Sequence, residues 1–101
     1  MAWEISEQLK REFCATANQR VAHALAALLP GGDANDAAVQ MHTLAGEASM
    51  LGYTELGNAA RKAQTAAHTW TRAPNAQTQL DCANMIRTVG IVASDLEPQS
   101  Q

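Results

Sequence analysis

The stretch Met41-His42-Thr43-Leu44-Ala45-Gly46-Glu47-Ala48-Ser49-Met50-Leu51-Gly52 sets one histidine among small and apolar residues at helical spacing. Read at about 100° per residue, it sorts into two faces. Ala37, Met41, Leu44, Ala48 and Leu51 fall on one side as an apolar stripe suited to a core. Ala38, Ala45, Gly46 and Ser49 fall near His42, within one or two turns of it. His42 is therefore expected to point outward, inside a collar of side chains too small to cover it. A glycine within a helix costs about 1 kcal/mol relative to alanine, so Gly46 implies a reason of packing or access. An exposed imidazole among small neighbours suits a group that another protein must reach.

The neighbouring segments read the same way. A first helix is expected from about Ile5 to Leu29, with Ile5, Leu9, Phe13, Val21, Leu25 and Leu28 toward the interior. Ser6 is a candidate cap, which would set off a short extra N-terminal helix. Pro30-Gly31-Gly32 ends this segment. Asp33 or Asn35 can cap the histidine helix, which runs to about Leu51, and Gly52 suits its C-terminus. A third helix starts near Thr54, the expected cap. Its narrow inner stripe is Leu56, Ala60, Ala63, Ala67 and Trp70, with Arg61, Gln64 and His68 on the flank. After Pro74-Asn75 a fourth helix runs from about Ala76 to Leu96, with Cys82, Met85, Val89, Val92 and Leu96 at heptad spacing. Four helices with short connections and one stripe each predict an all-α antiparallel four-helix bundle, a single domain over residues 1–101.

Composition narrows the function. The chain has 101 residues and a net charge of −3, with no basic patch, which argues against nucleic acid. No apolar run approaches the ~18 residues of a membrane span, and Met1-Ala2-Trp3-Glu4 is not a signal peptide, so a cytoplasmic location is expected. Cys14 and Cys82 match no metal spacing and read as small buried thiols. There is no Gly-rich phosphate loop and no kinase signature, so ATP chemistry is not expected. A metal- or cofactor-binding bundle would need two or more inward ligands, whereas His42 faces out with no ligand at i+3 or i+4.

His42, Leu44, Gly46, Leu51 and Gly52 resemble the motif of the histidine-containing phosphotransfer (HPt) family, usually written His-x-Leu-Lys-Gly with Leu-Gly a few residues later. Ala45 stands where the family usually has lysine. The family pattern places a glutamine or glutamate one helix later, and Gln64 stands at that offset. The upstream residues Phe13, Leu28-Leu29 and Gly31-Gly32-Asp33 are compatible with it. The resemblance implies a phosphocarrier without kinase activity. His42 would accept a phosphoryl group from a receiver-domain aspartate and pass it to a response regulator, in a relay fed by a sensor or hybrid histidine kinase.

A carrier of this kind needs one ring nitrogen open and the other fixed by a hydrogen bond. The Gln64 amide oxygen would accept from one ring N–H and leave the outward nitrogen as nucleophile. Ala38, Ala45, Gly46, Ser49 and Arg61 are the expected docking residues. Mg²⁺ would sit on the partner receiver, since this chain has no convergent acidic cluster and needs no cofactor or metal of its own. Arg61 or Lys62 could supply the positive charge that Ala45 lacks. His23 and His68 read as surface histidines, and Trp3 and Trp70 as seals at the bundle ends. A monomer is expected. The competing reading is a helical interaction module of the same fold without phosphotransfer, and Ala45 is the residue that favours it.

Overall fold

Alanine supplies much of the apolar surface of this chain, and alanine favours helices packed at close range. The computed structural model describes residues 7–96. Four helices follow one another: α1 (Glu7–Ala26), α2 (Ala34–Met50), α3 (Thr54–Arg72) and α4 (Ala76–Asp95). Each packs against its neighbours in sequence, and α4 closes the ring against α1. The short connections reverse the chain each time, giving an up-down-up-down antiparallel bundle. The family of helical expectations holds, and no strand occurs among the described residues.

The connections show why each helix stops. After Ala26 the chain tightens into turns, with the amide of Leu28 donating to the Leu25 carbonyl and that of Leu29 to Ala26. Helix α1 thus ends three residues before the expected Leu29, because Pro30 admits no continuing helix behind it. Gly31 takes φ +87°, and a side chain at Gly32 would collide with the Ala27 carbonyl. Asp33 caps α2 by accepting from the Asn35 amide. At the far end the amides of Gly52 and Tyr53 donate back to Ser49 and Ala48, a Schellman closure with Gly52 at φ +84°. That closure makes Tyr53, not Thr54, the cap of α3, and no side chain caps it. Asn75 and Thr78 form a reciprocal capping box on α4.

The core consists of the inner stripes. Met41, Leu44, Ala48, Leu56, Ala60, Ala63 and Ala67 are fully buried, as their spacing predicts. Leu51 and Trp70 pack partly buried against them. Two expectations fail. Leu9, in the first turn of α1, is 42% exposed. On α4 the buried stripe is Cys82, Ile86, Val89 and Ala93, so Met85 is exposed while Val92 and Leu96 are only partly buried. Both sets have heptad spacing. Packing against α1 and α3 together selects the second phase, with Gly90 turned toward Val21. Trp3, Ile5 and the Ser6 cap lie outside the described residues.

Two long-range contacts set the rotation of α2. The Arg20 guanidinium donates to both Glu47 carboxylate oxygens, at 2.9 and 2.8 Å, and to Gln40 Oε1 at 3.1 Å. This half-buried fork raises the Arg20 pKa, chiefly through the hydrogen bond to Glu47. Phe13 stacks on Tyr53 with ring centroids 5.4 Å apart. Together they tie the Glu47 side of α2 to α1. The His42 side is left toward solvent and α3.

Candidate functional site

Helices α2 and α3 make the most extensive contact in the bundle, and small residues allow it. Ala38, Ala45 and Ala48 of α2 are buried, as are Gly57, Ala60, Ala63 and Ala67 of α3. A Cβ on Gly57 would stand 3.3 Å from Ser49 Oγ and 3.6 Å from the Ala45 carbonyl oxygen. The helices are therefore as close there as backbone and small side chains permit.

This corrects part of the expected docking surface. Ala38 is 3% exposed and Ala45 4%. They do not ring His42 at the surface; they form the seam beneath it. Their angular position lies between His42 and the apolar stripe, and α3 occupies that sector. Gly46, Ser49 and Arg61 are exposed, as expected. A Cβ added at Gly46 would meet nothing within 4 Å.

The seam brings the two chemical residues together. His42 is exposed, Gln64 is half-buried, and Gln64 Nε2 lies 3.3 Å from His42 Nδ1. The ring's other nitrogen, Nε2, has no hydrogen-bond partner among the described residues. The amide nitrogen is the atom turned toward the ring in the structure, whereas the expected arrangement uses the amide oxygen. A half-turn about the last side-chain bond exchanges the two without moving the rest of Gln64. With oxygen forward, Nδ1 carries the proton and Nε2 holds a free electron pair.

Arg61 lies one turn before Gln64 on α3. Its Nη2 donates to Ser49 Oγ at 2.8 Å and its Nη1 to Asn58 Oδ1 at 3.3 Å. Lys62 faces the other way, lining a groove of about 530 Å³ with Thr54, Met85 and Val92 between α3 and α4. Of the two cations named as substitutes for a charge at Ala45, only Arg61 shares the His42 face. His68 is exposed one turn beyond Gln64, and His23 pairs with Asp36 at 3.3 Å on the α1 side.

Two residues of this face are absent from the expected set. Val39 is 49% exposed and Met50 87%. They stand at i−3 and i+8 from His42, on the side of it away from α3. Their apolar character and helical offset were readable in the sequence; the direction from which α3 arrives was not. Cys14 and Cys82 are both buried, and burial pushes the Cys82 thiol up to about 11. Among the described residues, no group of three or more His, Cys, Asp or Glu is placed to hold a metal ion. Among the described residues no helix is long and apolar enough to cross a membrane.

A family model described as the Hpt domain matches residues 8–91. The chain belongs to the Hpt domain family. Hpt domains perform histidine phosphotransfer in two-component signalling, in exchange with receiver domains and histidine kinases, as carriers rather than kinases. The match runs from α1 into α4 and so includes the seam, His42 and Gln64. No curated protein and no solved structure gives a significant match to the chain.

Proposed function

We propose that this Hpt domain carries a phosphoryl group on His42 Nε2. It takes that group from the aspartyl phosphate of a receiver domain and hands it to a response regulator. The observation behind this reading is the position of Gln64 against Nδ1, with Nε2 open to an approaching protein. In the forward step the Nε2 electron pair attacks phosphorus. The P–O bond to the receiver aspartate breaks, and the carboxylate leaves with its electrons. The Nδ1–H is kept, so the phosphorylated ring bears a positive charge that the Gln64 oxygen stabilises. The return step reverses each bond change. Mg²⁺ would be held by the receiver, where it would screen charge on the phosphoryl oxygens.

The docking surface in this reading is His42 with Val39, Gly46, Ser49 and Met50. Gly46 lets a partner's backbone come close, and Val39 and Met50 offer apolar area beside the histidine. A receiver domain loaded with radiolabelled phosphate tests the reading. Label passing to this chain and on to a second receiver supports it. Stable binding of receivers with no transfer favours the interaction module instead. The reading also places the chain in the cytoplasm, where receivers and kinase domains work.

A further inference from the structure

We infer that Arg61 is the positioning residue for the phosphoryl group on His42, and that Ser49 holds it aside while His42 is unmodified; this rests on the proposed carrier reading. Three observations combine. First, the Arg61 guanidinium is bound by two neutral oxygens, Ser49 Oγ and Asn58 Oδ1, and by no carboxylate among the described residues. Arg20 and Lys10 pair with Glu47 and Glu7, whereas Arg87 also bonds only a neutral amide oxygen, that of Asn84; Arg61 differs from Arg87 in standing beside the contact between Gln64 and His42. A guanidinium with a fixed direction and no counter-ion is disposed to receive an anion. Second, Arg61 shares a face of α3 with Gln64, which touches the imidazole, and stands one turn away, about 4.5 Å along the axis. Third, Ser49 lies two turns from His42 on the same face of α2. The arginine side chain therefore bends away from the histidine to reach Ser49, and a rotation about its own bonds carries it back along the seam.

The anion that arrives next to it is the phosphoryl group on Nε2. A guanidinium exchanges one hydroxyl acceptor for phosphoryl oxygens with which it can form a bidentate, charge-assisted pair. Pairing with the resting phosphoryl group draws on charge that diminishes as the P–N bond loosens, so it slows spontaneous hydrolysis.

Phosphoramidate, a small donor, separates this inference from the reading beneath it. It transfers its phosphoryl group to the His42 nitrogen and releases ammonia. The half-life of the phosphohistidine is then followed after donor removal, with the ¹⁵N–¹H signal of the Arg61 Nε recorded before and after labelling. The signal should shift on labelling. Arg61→Ala should shorten the half-life roughly two- to fivefold, the scale of an exposed ion pair, and Arg61→Lys should restore part of it. Ser49→Ala, which removes the competing acceptor and keeps the charge, should lengthen it. An unmoved Arg61 signal with an unchanged Arg61→Ala half-life overturns the inference and leaves the carrier reading standing. So does a Ser49→Ala half-life as short as that of Arg61→Ala. If the signal stays still but Arg61→Ala slows transfer from a receiver, the charge meets the partner, and the inference is overturned in that form. Wild-type chain that takes no label on His42 overturns both.

Discussion

Gln64 Nε2 stands 3.3 Å from Nδ1 of His42, a contact between side chains 22 residues apart on antiparallel helices. In the proposed carrier it would fix the ring from the α3 side and set which nitrogen faces a partner. A neutral hydrogen bond of this kind contributes about 1 kcal/mol net. Gln64→Ala should therefore slow phosphotransfer roughly tenfold or less, with the fold intact. Gln64→Glu, which offers only oxygen to Nδ1–H, should retain transfer. Stopped-time phosphotransfer assays check both, and a wild-type rate in Gln64→Ala contradicts the assigned role.

Two helical glycines should respond in opposite ways. Gly46 has open space where a Cβ would go. Gly46→Ala should raise stability by about 0.5–1 kcal/mol, a few degrees in a thermal melt. Gly46→Gln should keep the fold and slow transfer by obstructing the approach to His42. At Gly57 a Cβ would already press on Ser49 at 3.3 Å. Gly57→Val should cost about 1–3 kcal/mol by overpacking the α2–α3 seam. It should slow transfer as well, because it moves Gln64 off the ring. A Gly57→Val protein as stable as wild type contradicts this account of the seam.

Val39 and Met50 are exposed apolar side chains on the histidine side of α2. Replacing each with aspartate should leave the melting temperature nearly unchanged, since neither fills the core. The double substitution should weaken receiver binding at least tenfold in a titration calorimeter, while phosphoramidate still labels His42. Unaltered receiver affinity would place the docking surface elsewhere.

Cys82 links stability to pH. Burial pushes its thiol up to about 11 from 9.0. The folded state keeps this proton in a window where the unfolded chain releases it. The contribution is fully present below pH 9 and is lost as pH rises through about 11. Chemical denaturation at several pH values should show stability falling across that window. In Cys82→Ala, which is less stable at neutral pH because of the cavity, the fall should be shallower. Equal slopes would contradict the assignment.

The bundle was legible because each helix has its stripe at the right spacing and a stop signal behind it. The phase of α4 was not legible. Cys82, Met85, Val89 and Val92 match a heptad as well as Cys82, Ile86, Val89 and Ala93 do, and only the placement of α1 and α3 distinguishes them. The site divided in the same way. The contact between His42 and Gln64 was readable from motif and offset, and the open space at Gly46 from its cost within a helix. Ala38 and Ala45 were misplaced because angular proximity to His42 does not say from which side α3 arrives. Small residues serve a docking surface and a helix seam equally well, so alanine alone could not tell the two apart. The same gap hid the place of Val39 and Met50 beside His42, and which of Arg61 and Lys62 shares its face.

In the proposed function one atom, Nε2 of His42, carries the phosphoryl group. Label from a phosphorylated receiver, mapped by mass spectrometry under alkaline conditions and by ³¹P–¹⁵N correlation on the intact protein, tests it directly. Acid-labile phosphate is expected on His42 alone, bonded at Nε2, with no label on a folded His42→Gln protein. Phosphate on His23 or His68, attachment at Nδ1, or continued labelling of His42→Gln would contradict it.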